Sequence, residues 1–344
     1  MIDKTLLILN YEMNDNSQLF AHQVYTVRRL ANQYSKIIVI TGKRDKKCKV
    51  PSNVKVFSIN WVPNRNLRNS FFTYYYFFKT LINTKIDFVF SHMTDAQSAL
   101  ISPFTKLFGI PHVLWYAHVK KSFWLHLSNF FVDKIVTSTQ GSCPINSPKV
   151  IAIGQAIDTD LFKFESKRIY RKTHLIHVGR IDPSKRIIEL IKTFEILRSK
   201  NPKMTFKLIG YTSSKRFLEY QTKVEKISNS VGGIQLIGKV DRQLLPTFLS
   251  NNDIFIHMFE GSLDKVLVEA TLLGLPVITI NKEYLKTFGK WNFLSEISVV
   301  NEFEAFINLS QSEIIAECKR RYKLAFDLHS YNQWQNKLIE ILEN

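Results

Sequence analysis

Cysteine is scarce in this chain: Cys48, Cys143 and Cys318 are the three among 344 residues. Few, widely spaced and odd in number, they exclude a disulfide framework and a cysteine-built metal site, and they suit a reducing cytoplasm. Long apolar runs are missing too. None approaches the roughly 18 residues that a membrane-crossing helix needs. The opening Met1-Ile2-Asp3-Lys4-Thr5 leads into an apolar stretch without the segments of a secretion signal. The expectation is a cytoplasmic protein, soluble or held peripherally on the inner face of the cell membrane. Acidic residues are in the minority, with 29 Asp and Glu against 47 Lys and Arg, for a net charge of +18. The excess leans to the first half, where residues 1–168 hold 22 basic and 10 acidic side chains. No RNP, zinc-finger or helix-turn-helix signature accompanies it, so nucleic acid is not the expected partner. An anionic membrane face or an anionic substrate fits the field better. A lysine-rich proteome is the plain alternative.

What is present is a regular alternation of short apolar runs and helical patterns. With 45% hydrophobic residues, the chain is long enough for two cores. Strands are expected at 6–9, 37–41, 54–59, 88–91, 112–116, 134–137 and 150–153. Helices are expected at 18–33, with Leu19, Val24, Val27, Leu30 and Ala31 on the apolar side, and at 71–83 and 95–108. A polar stretch, 165–173, reads as a linker, and the alternation restarts at residue 174 and continues to about 300. Such βα order predicts an α/β protein of two doubly wound, Rossmann-like halves. A cleft between them and ligands at the carboxyl ends of the strands complete the expectation. The halves are placed at 1–165 and 173–324, with a C-terminal helix, 325–344, returning to the first.

Two stretches carry chemistry. In His177-Val178-Gly179-Arg180-Ile181-Asp182-Pro183-Ser184-Lys185, a strand over 175–178 runs toward a helix start. Asp182 reads as its N-cap, with Pro183 at the first helical position. Arg180, Lys185 and Arg186 crowd an end where the macrodipole disfavours cations, an arrangement that makes sense around a bound anion such as phosphate. In the second stretch, a strand over 253–257 precedes Glu260-Gly261-Ser262-Leu263-Asp264 and a buried helix over 266–273. Gly274 ends that helix, and a strand follows at 277–280. Asp264 is placed to cap the helix. Glu269 either pairs with Lys265 at i, i+4 or accepts hydrogen bonds from a sugar-like diol.

As a set these residues resemble the C-terminal domain of the retaining, GT-B-fold glycosyltransferases of family 4, the glycosyl transferases group 1. The resemblance covers nearly the whole chain. It implies transfer of a sugar from a nucleotide-diphosphate sugar, UDP more readily than GDP, to a hydroxyl acceptor with retention. It also implies a place in bacterial surface polysaccharide or glycolipid assembly, with a lipid-linked saccharide acceptor at an anionic membrane. Arg180 and Lys185 would hold the donor diphosphate, and His118, after the strand at 112–116, would contact the donor sugar. Gly179, Gly261, Ser262, Leu263, Asp264, Val266 and Glu269 would complete the donor site, Glu269 on the ribose. The loop around Val240, in Ile237-Gly238-Lys239-Val240, would hold the base. No cofactor is implied, and with two cations present no metal is needed. A sugar-nucleotide epimerase and a non-catalytic GT-B-fold subunit that binds nucleotide or a partner are the alternatives.

The sequence departs from the family pattern twice. The loop after the first strand, 11–18, has no glycine, although Asn14, Asp15 and His22 offer polar contacts to an acceptor. The first of the family's two glutamates falls on Gly261, one residue after Glu260. Separately, the run Phe71-Phe72-Thr73-Tyr74-Tyr75-Tyr76-Phe77-Phe78 is aromatic all round, so one side of that helix needs a partner other than water. Burial between sheet and loops and contact with a membrane interface are the two readings. Lys120 and Lys121 with Phe123 and Trp124 read as a solvated helix start with one buried aromatic face, the alternative being contact with an acceptor or a lipid headgroup.

Overall fold

The computed structural model describes residues 1–17, 20–165, 168–212, 214–291 and 298–344. Leu19, expected on the apolar side of the first helix, lies outside the described residues. The chain forms two compact units, Met1–Ile153 with Gln335–Asn344, and Gly154–Trp334.

The first unit runs β1 (Ile2–Met13), α1 (Ala21–Ala31), β2 (Tyr34–Arg44), β3 (Val54–Ser58), α2 (Asn66–Asn83), β4 (Phe88–His92), α3 (Asp95–Leu107), β5 (His112–Trp115), α4 (Phe123–Phe131), β6 (Lys134–Thr137) and β7 (Val150–Ala152). Its seven strands are all parallel, in the order β3-β2-β1-β4-β5-β6-β7. The fully buried run from Leu6 to Leu9 explains why β1 can lie at the centre, since a strand covered on both faces has no polar side to offer. The chain leaves β1 toward β2 and leaves β4 toward β5, on opposite sides. The crevice outside the carboxyl ends of β1 and β4 is therefore the point where the winding reverses.

The second unit runs β8 (His174–Val178), α5 (Ile187–Lys200), β9 (Thr205–Ile209), α6 (Leu218–Ser230), β10 (Ile234–Gly238), α7 (Leu245–Ser250), β11 (Ile254–His257), α8 (Lys265–Leu272), β12 (Val277–Thr279), α9 (Lys282–Phe288), α10 (Val299–Ile307) and α11 (Gln311–His329). The last helix, α12 (Tyr331–Glu343), starts here and ends in the first unit. Five parallel strands in the order β10-β9-β8-β11-β12 place the reversal between β8 and β11. Gly274 ends α8 in a Schellman turn: at φ +78° it donates to Thr271 O, and Leu275 donates to Ala270 O.

Three expectations change. The polar stretch 165–173 is not a bare linker. Arg168 is buried and donates to Ser250 O and Asn252 O at 3.0 and 2.7 Å, and the Tyr170 hydroxyl donates to Gly274 O at 2.8 Å. Arg168 and Lys172 both bind carbonyls of the second unit, Lys172 those of Ile307 and Leu309. The helix expected at Pro183 begins as a single 3-10 turn, Pro183–Lys185, and α5 starts only at Ile187, because Arg186 takes a left-handed backbone, φ 54°. The aromatic residues at the start of α4 are not buried: Phe123 is 72% exposed and Trp124 is exposed beside it, while Leu125 and Ser128 face inward.

Candidate functional site

The loops that follow β8 and β11 meet across the reversal point of the second sheet, and ion pairs join them. Lys185, buried on the 3-10 turn, reaches the Asp264 carboxylate, and Arg186 reaches Glu260. The second pair is largely solvated and holds little energy. The first is enclosed. The Lys185 ammonium also lies 3.9 Å from the centre of the Phe259 ring, so its charge meets a carboxylate and an aromatic face.

Asp264 occupies the N-cap position of α8, yet its side chain makes no cap hydrogen bond. The expected capping role is replaced by a buried relay. His257 Nε2 donates to Asp264 Oδ2 at 3.1 Å, and Thr279 Oγ1 lies 3.2 Å from His257 Nδ1. Burial holds the His257 imidazole below its usual range and therefore neutral, which fixes the tautomer: the proton sits on Nε2 and Nδ1 accepts from Thr279. Burial on its own would raise the Asp264 carboxyl. The Lys185 charge and the His257 hydrogen bond outweigh it and hold the group well below the carboxylate range.

The backbone around these side chains is tight. A side chain at Gly210 would fall 1.7 Å from Gly179 O, and one at Gly179 would fall 2.9 Å from His177 Nε2. His177 is buried and donates from Nδ1 to Ile256 O at 2.9 Å. Burial, with His257 stacked 5.7 Å away, lowers its pKa to about 3. Gly261 has a steric reason to be glycine where the family pattern has glutamate. A Cβ there would come 2.2 Å from Phe259 Cζ, into the ring that packs on Lys185. Asn281 fixes the same loop by donating from Nδ2 to the carbonyls of Phe259, Gly261 and Ser262 at 2.9, 3.2 and 3.2 Å. Leu263 and Val266 are buried beside it.

Glu269, 3% exposed on α8, accepts from Arg242 at 2.7 Å. This is the partner it takes, rather than an i, i+4 pair with Lys265. Arg242 in turn lies over the Phe162 ring, 5.3 Å from its centre, and Val240 is half-buried just before it on the loop after β10. Arg180 is the more accessible cation, its side chain 55% exposed and 3.5 Å from the Asp182 carboxylate. Asp182 caps the 3-10 turn by accepting from Ser184 N at 3.0 Å.

In the first unit, the candidate residues stand at the carboxyl edge of its own sheet. His118 is exposed after β5, its Nδ1 accepting from Lys120 N at 2.9 Å. Asn14 donates to Glu12 at 3.1 Å, Asp15 forms a two-pronged pair with Arg28 at 2.6 and 2.8 Å, and His22 sits edge-on to His92 at 5.4 Å. Gln23 gives the glycine-free loop its form. Fully buried, it accepts from Tyr11 N and Glu12 N and donates to His92 O, tying β1 to β4 where the winding reverses.

Sequence reasoning missed Arg242, His257, Thr279, Asn281 and Gln23. None lies in a motif, and each acts through a partner distant in the chain. His257 carried a signal, an imidazole at the end of an apolar strand beside a charged loop. The sequence also contains Asp158-Thr159-Asp160, a spacing that can present two carboxylates to one cation. Here Asp158 Oδ1 instead accepts from Asp160 N and Leu161 N, closing a local turn. Among the described residues no group of three or more His, Cys, Asp and Glu is arranged to hold a metal ion.

Residues 158–290, most of the second unit, match the family model described as Glycosyl transferases group 1. No curated protein matches the chain by sequence. Among solved structures, a glycosyltransferase from Rickettsia africae is similar at a TM-score of 0.73 and 12% identity, covering 100% of this chain and 98% of that one. HepE of Anabaena in complex with UDP and glucose is similar at 0.74 and 13%, covering 98% and 99%. Sucrose-phosphate synthase from Thermosynechococcus elongatus is similar at 0.75 and 11%, covering 99% and 98%. The chain thus has the GT-B fold of two Rossmann-like domains, with the glycosyl transferases group 1 sequence pattern in the second.

Proposed function

We propose that this protein is a glycosyltransferase that moves a sugar from a nucleotide-diphosphate sugar to a hydroxyl acceptor, with retention at the anomeric carbon. The observation that carries the reading is the meeting of Lys185 with the start of α8 at the reversal point between β8 and β11, with Arg180 exposed on the same loop after β8. Negative charge grows on the leaving diphosphate as the glycosidic bond breaks. Arg180 can turn toward it from solvent, while Lys185 is already fixed by Asp264 and Phe259. Backbone amides at the start of α8 add partial positive charge from a fixed position. Glu269 accepts the ribose hydroxyls, oriented by Arg242, and the Val240 loop receives the base, with UDP preferred to GDP. On this reading Arg180 and Lys185 neutralise the diphosphate without a divalent ion, and His118 keeps the sugar-contacting role that the family resemblance implies. HepE of Anabaena, with UDP and glucose bound, supports a UDP-sugar donor by fold alone.

The test is a calorimetric titration of the pure protein with UDP and with GDP in the presence of EDTA, repeated with Arg180→Ala. Binding of one nucleotide that weakens at least tenfold in the variant is expected, since charge-assisted contacts contribute about 1.5–3 kcal/mol. Failure to bind either nucleotide would overturn the reading. Retention is read from the anomeric proton of the product by NMR once an acceptor is in hand.

Gly261 in the register of the family's first glutamate favours a second reading, a non-catalytic subunit that keeps the nucleotide site. Nucleotide binding without donor hydrolysis or transfer across a panel of lipid-linked and free saccharide acceptors would select it.

A further inference from the structure

Helix α2 is apolar on both sides: Phe72, Tyr76, Phe78 and Leu81 pack half-buried against the core of the first unit, and an apolar stripe faces solvent as well. The side turned to the core carries Asn69, Thr73, Phe77 and Thr80, all buried, three of them polar. The opposite side presents Leu67, Phe71, Tyr75 and Ile82 to solvent, at 90, 63, 47 and 83% exposure. The buried polar groups are satisfied within or beside the helix. Thr73 and Thr80 donate to the carbonyls four residues earlier at 2.9 and 2.7 Å, and Asn69 binds the backbone of Val62 through both its amide atoms. A helix docked on a sheet normally keeps its outer side polar, because only the apolar stripe that is buried gains from leaving water. The outer stripe is therefore matched to a surrounding other than water.

The neighbouring helices extend it. Tyr74 and Phe78 pack on Phe104 of α3, at 5.8 and 5.0 Å between ring centres, so these two belong to the core side. Ser128 of α4 donates to Asp95 O at the start of α3, which joins α4 to the same layer. On α4, Phe123 and Phe130 are 72 and 74% exposed. Arg65 and Lys79 flank the α2 stripe, Lys85 follows it and pairs with Asp87 at 3.1 Å, and Lys120 and Lys121 precede α4; all five cations are exposed. No acidic residue occurs between positions 61 and 86 or between 111 and 132. Among the described residues no helix is long and apolar enough to cross a membrane.

We propose that the outer face of α2 and α4 docks on an anionic membrane surface, with Leu67, Phe71, Tyr75, Ile82, Phe123 and Phe130 entering the headgroup boundary. Aromatic side chains suit that boundary and the surrounding cations meet lipid phosphates, whereas the sparseness of carboxylates, with Asp87 already paired to Lys85, limits the repulsion that such a surface would impose. The helices lie on the bilayer rather than cross it. This docking is independent of the transferase reading and would hold for a non-catalytic protein as well.

Flotation of the full chain with vesicles of phosphatidylcholine alone, and of phosphatidylcholine mixed with phosphatidylglycerol, tests it. The wild type is expected to float with the mixed vesicles and to be released by salt. Phe71→Ser with Ile82→Ser removes most of that binding. Lys121→Glu weakens it by about fivefold or more, since one basic residue near an anionic surface contributes about 1 kcal/mol. Circular dichroism establishes that each variant is folded. Wild-type protein that ignores both vesicle types overturns the proposal, as does flotation unchanged in both variants. A concentration-dependent dimer in light scattering, abolished by Phe71→Ser with Ile82→Ser while flotation persists, would assign the face to a second copy instead.

Discussion

The Asp264 carboxylate oxygen that receives the Lys185 ammonium also accepts from His257 Nε2, at 3.1 Å. One buried anion thus orders a cation from the loop after β8 and an imidazole at the end of β11. Removing it leaves Lys185 buried with no counter-charge. Asp264→Asn is expected to lose about 3–5 kcal/mol of unfolding free energy, the cost of breaking one side of an enclosed pair. Combining Asp264→Asn with Lys185→Met should cost less than the sum of the two single changes. Urea denaturation of the four proteins measures it. Additive losses would mean that the two residues do not act as a unit.

Glu269 and Arg242 form the second coupled pair, 2.7 Å apart, with the carboxylate buried and the guanidinium half in solvent. If Arg242 orients Glu269 toward the ribose, Glu269→Gln and Arg242→Ala each weaken UDP binding, and the double variant is little worse than either single. A tenfold to hundredfold loss is expected for each, from hydrogen bonds to a charged group worth about 1.5–3 kcal/mol. UDP titrations check this, with 2′,3′-dideoxy-UDP as the control. Were the dideoxy compound weakened by the variants as much as UDP, the ribose role would be wrong.

The two doubly wound sheets were legible in the sequence because short apolar runs such as Leu6-Leu7-Ile8-Leu9 and Leu175-Ile176-His177-Val178 alternate with helical patterns, as interior parallel strands do. Gly274-Leu275-Pro276 likewise marked the end of α8 through its need for a left-handed residue. The site was legible where a residue's own neighbours declared it: Arg180, Lys185 and Glu269 stand in local patterns. The relay was not. Asp264 reads locally as a helix cap, and only the fold brings Lys185 and His257 close enough to take that carboxylate for another purpose. The same holds for α2, whose aromatic run shows no side until α3 supplies Phe104 and covers Tyr74 and Phe78.

Gly261 tests the site through sterics alone. An alanine methyl there would meet the Phe259 ring at 2.2 Å, and that ring packs on the Lys185 ammonium. Gly261→Ala is therefore expected to displace Phe259 and lower the rate of donor turnover by about tenfold to a hundredfold, with a smaller change in nucleotide affinity, as for the loss of a positioned charge. Gly261→Ala with Phe259→Leu should recover part of the loss by opening the space. Donor hydrolysis, followed with and without acceptor, is the measurement. No recovery in the double variant would point to the backbone of the loop rather than to the ring.

Lys265 supplies a pH dependence with a definite sign. Burial first, and then the nearby Arg242 charge, lower its pKa to about 8, against opposing pulls from Glu269 and Asp158. In the unfolded chain the ammonium titrates at its ordinary value of about 10.4. Between those two values the unfolded state binds more protons than the folded one, so this group makes stability rise with pH across that window. Below the window the folded protein carries the full penalty of a half-buried ammonium beside a guanidinium. Lys265→Met removes the penalty, and its melting temperature should exceed that of the wild type at pH 7, with the advantage shrinking as the pH is raised toward 10. Thermal melts of both proteins across that range measure the difference directly and cancel the titration of every other group. An advantage that stays constant with pH would show that Lys265 does not change its protonation on folding, and one that grows would mean that the pull of Glu269 and Asp158 outweighs burial and Arg242.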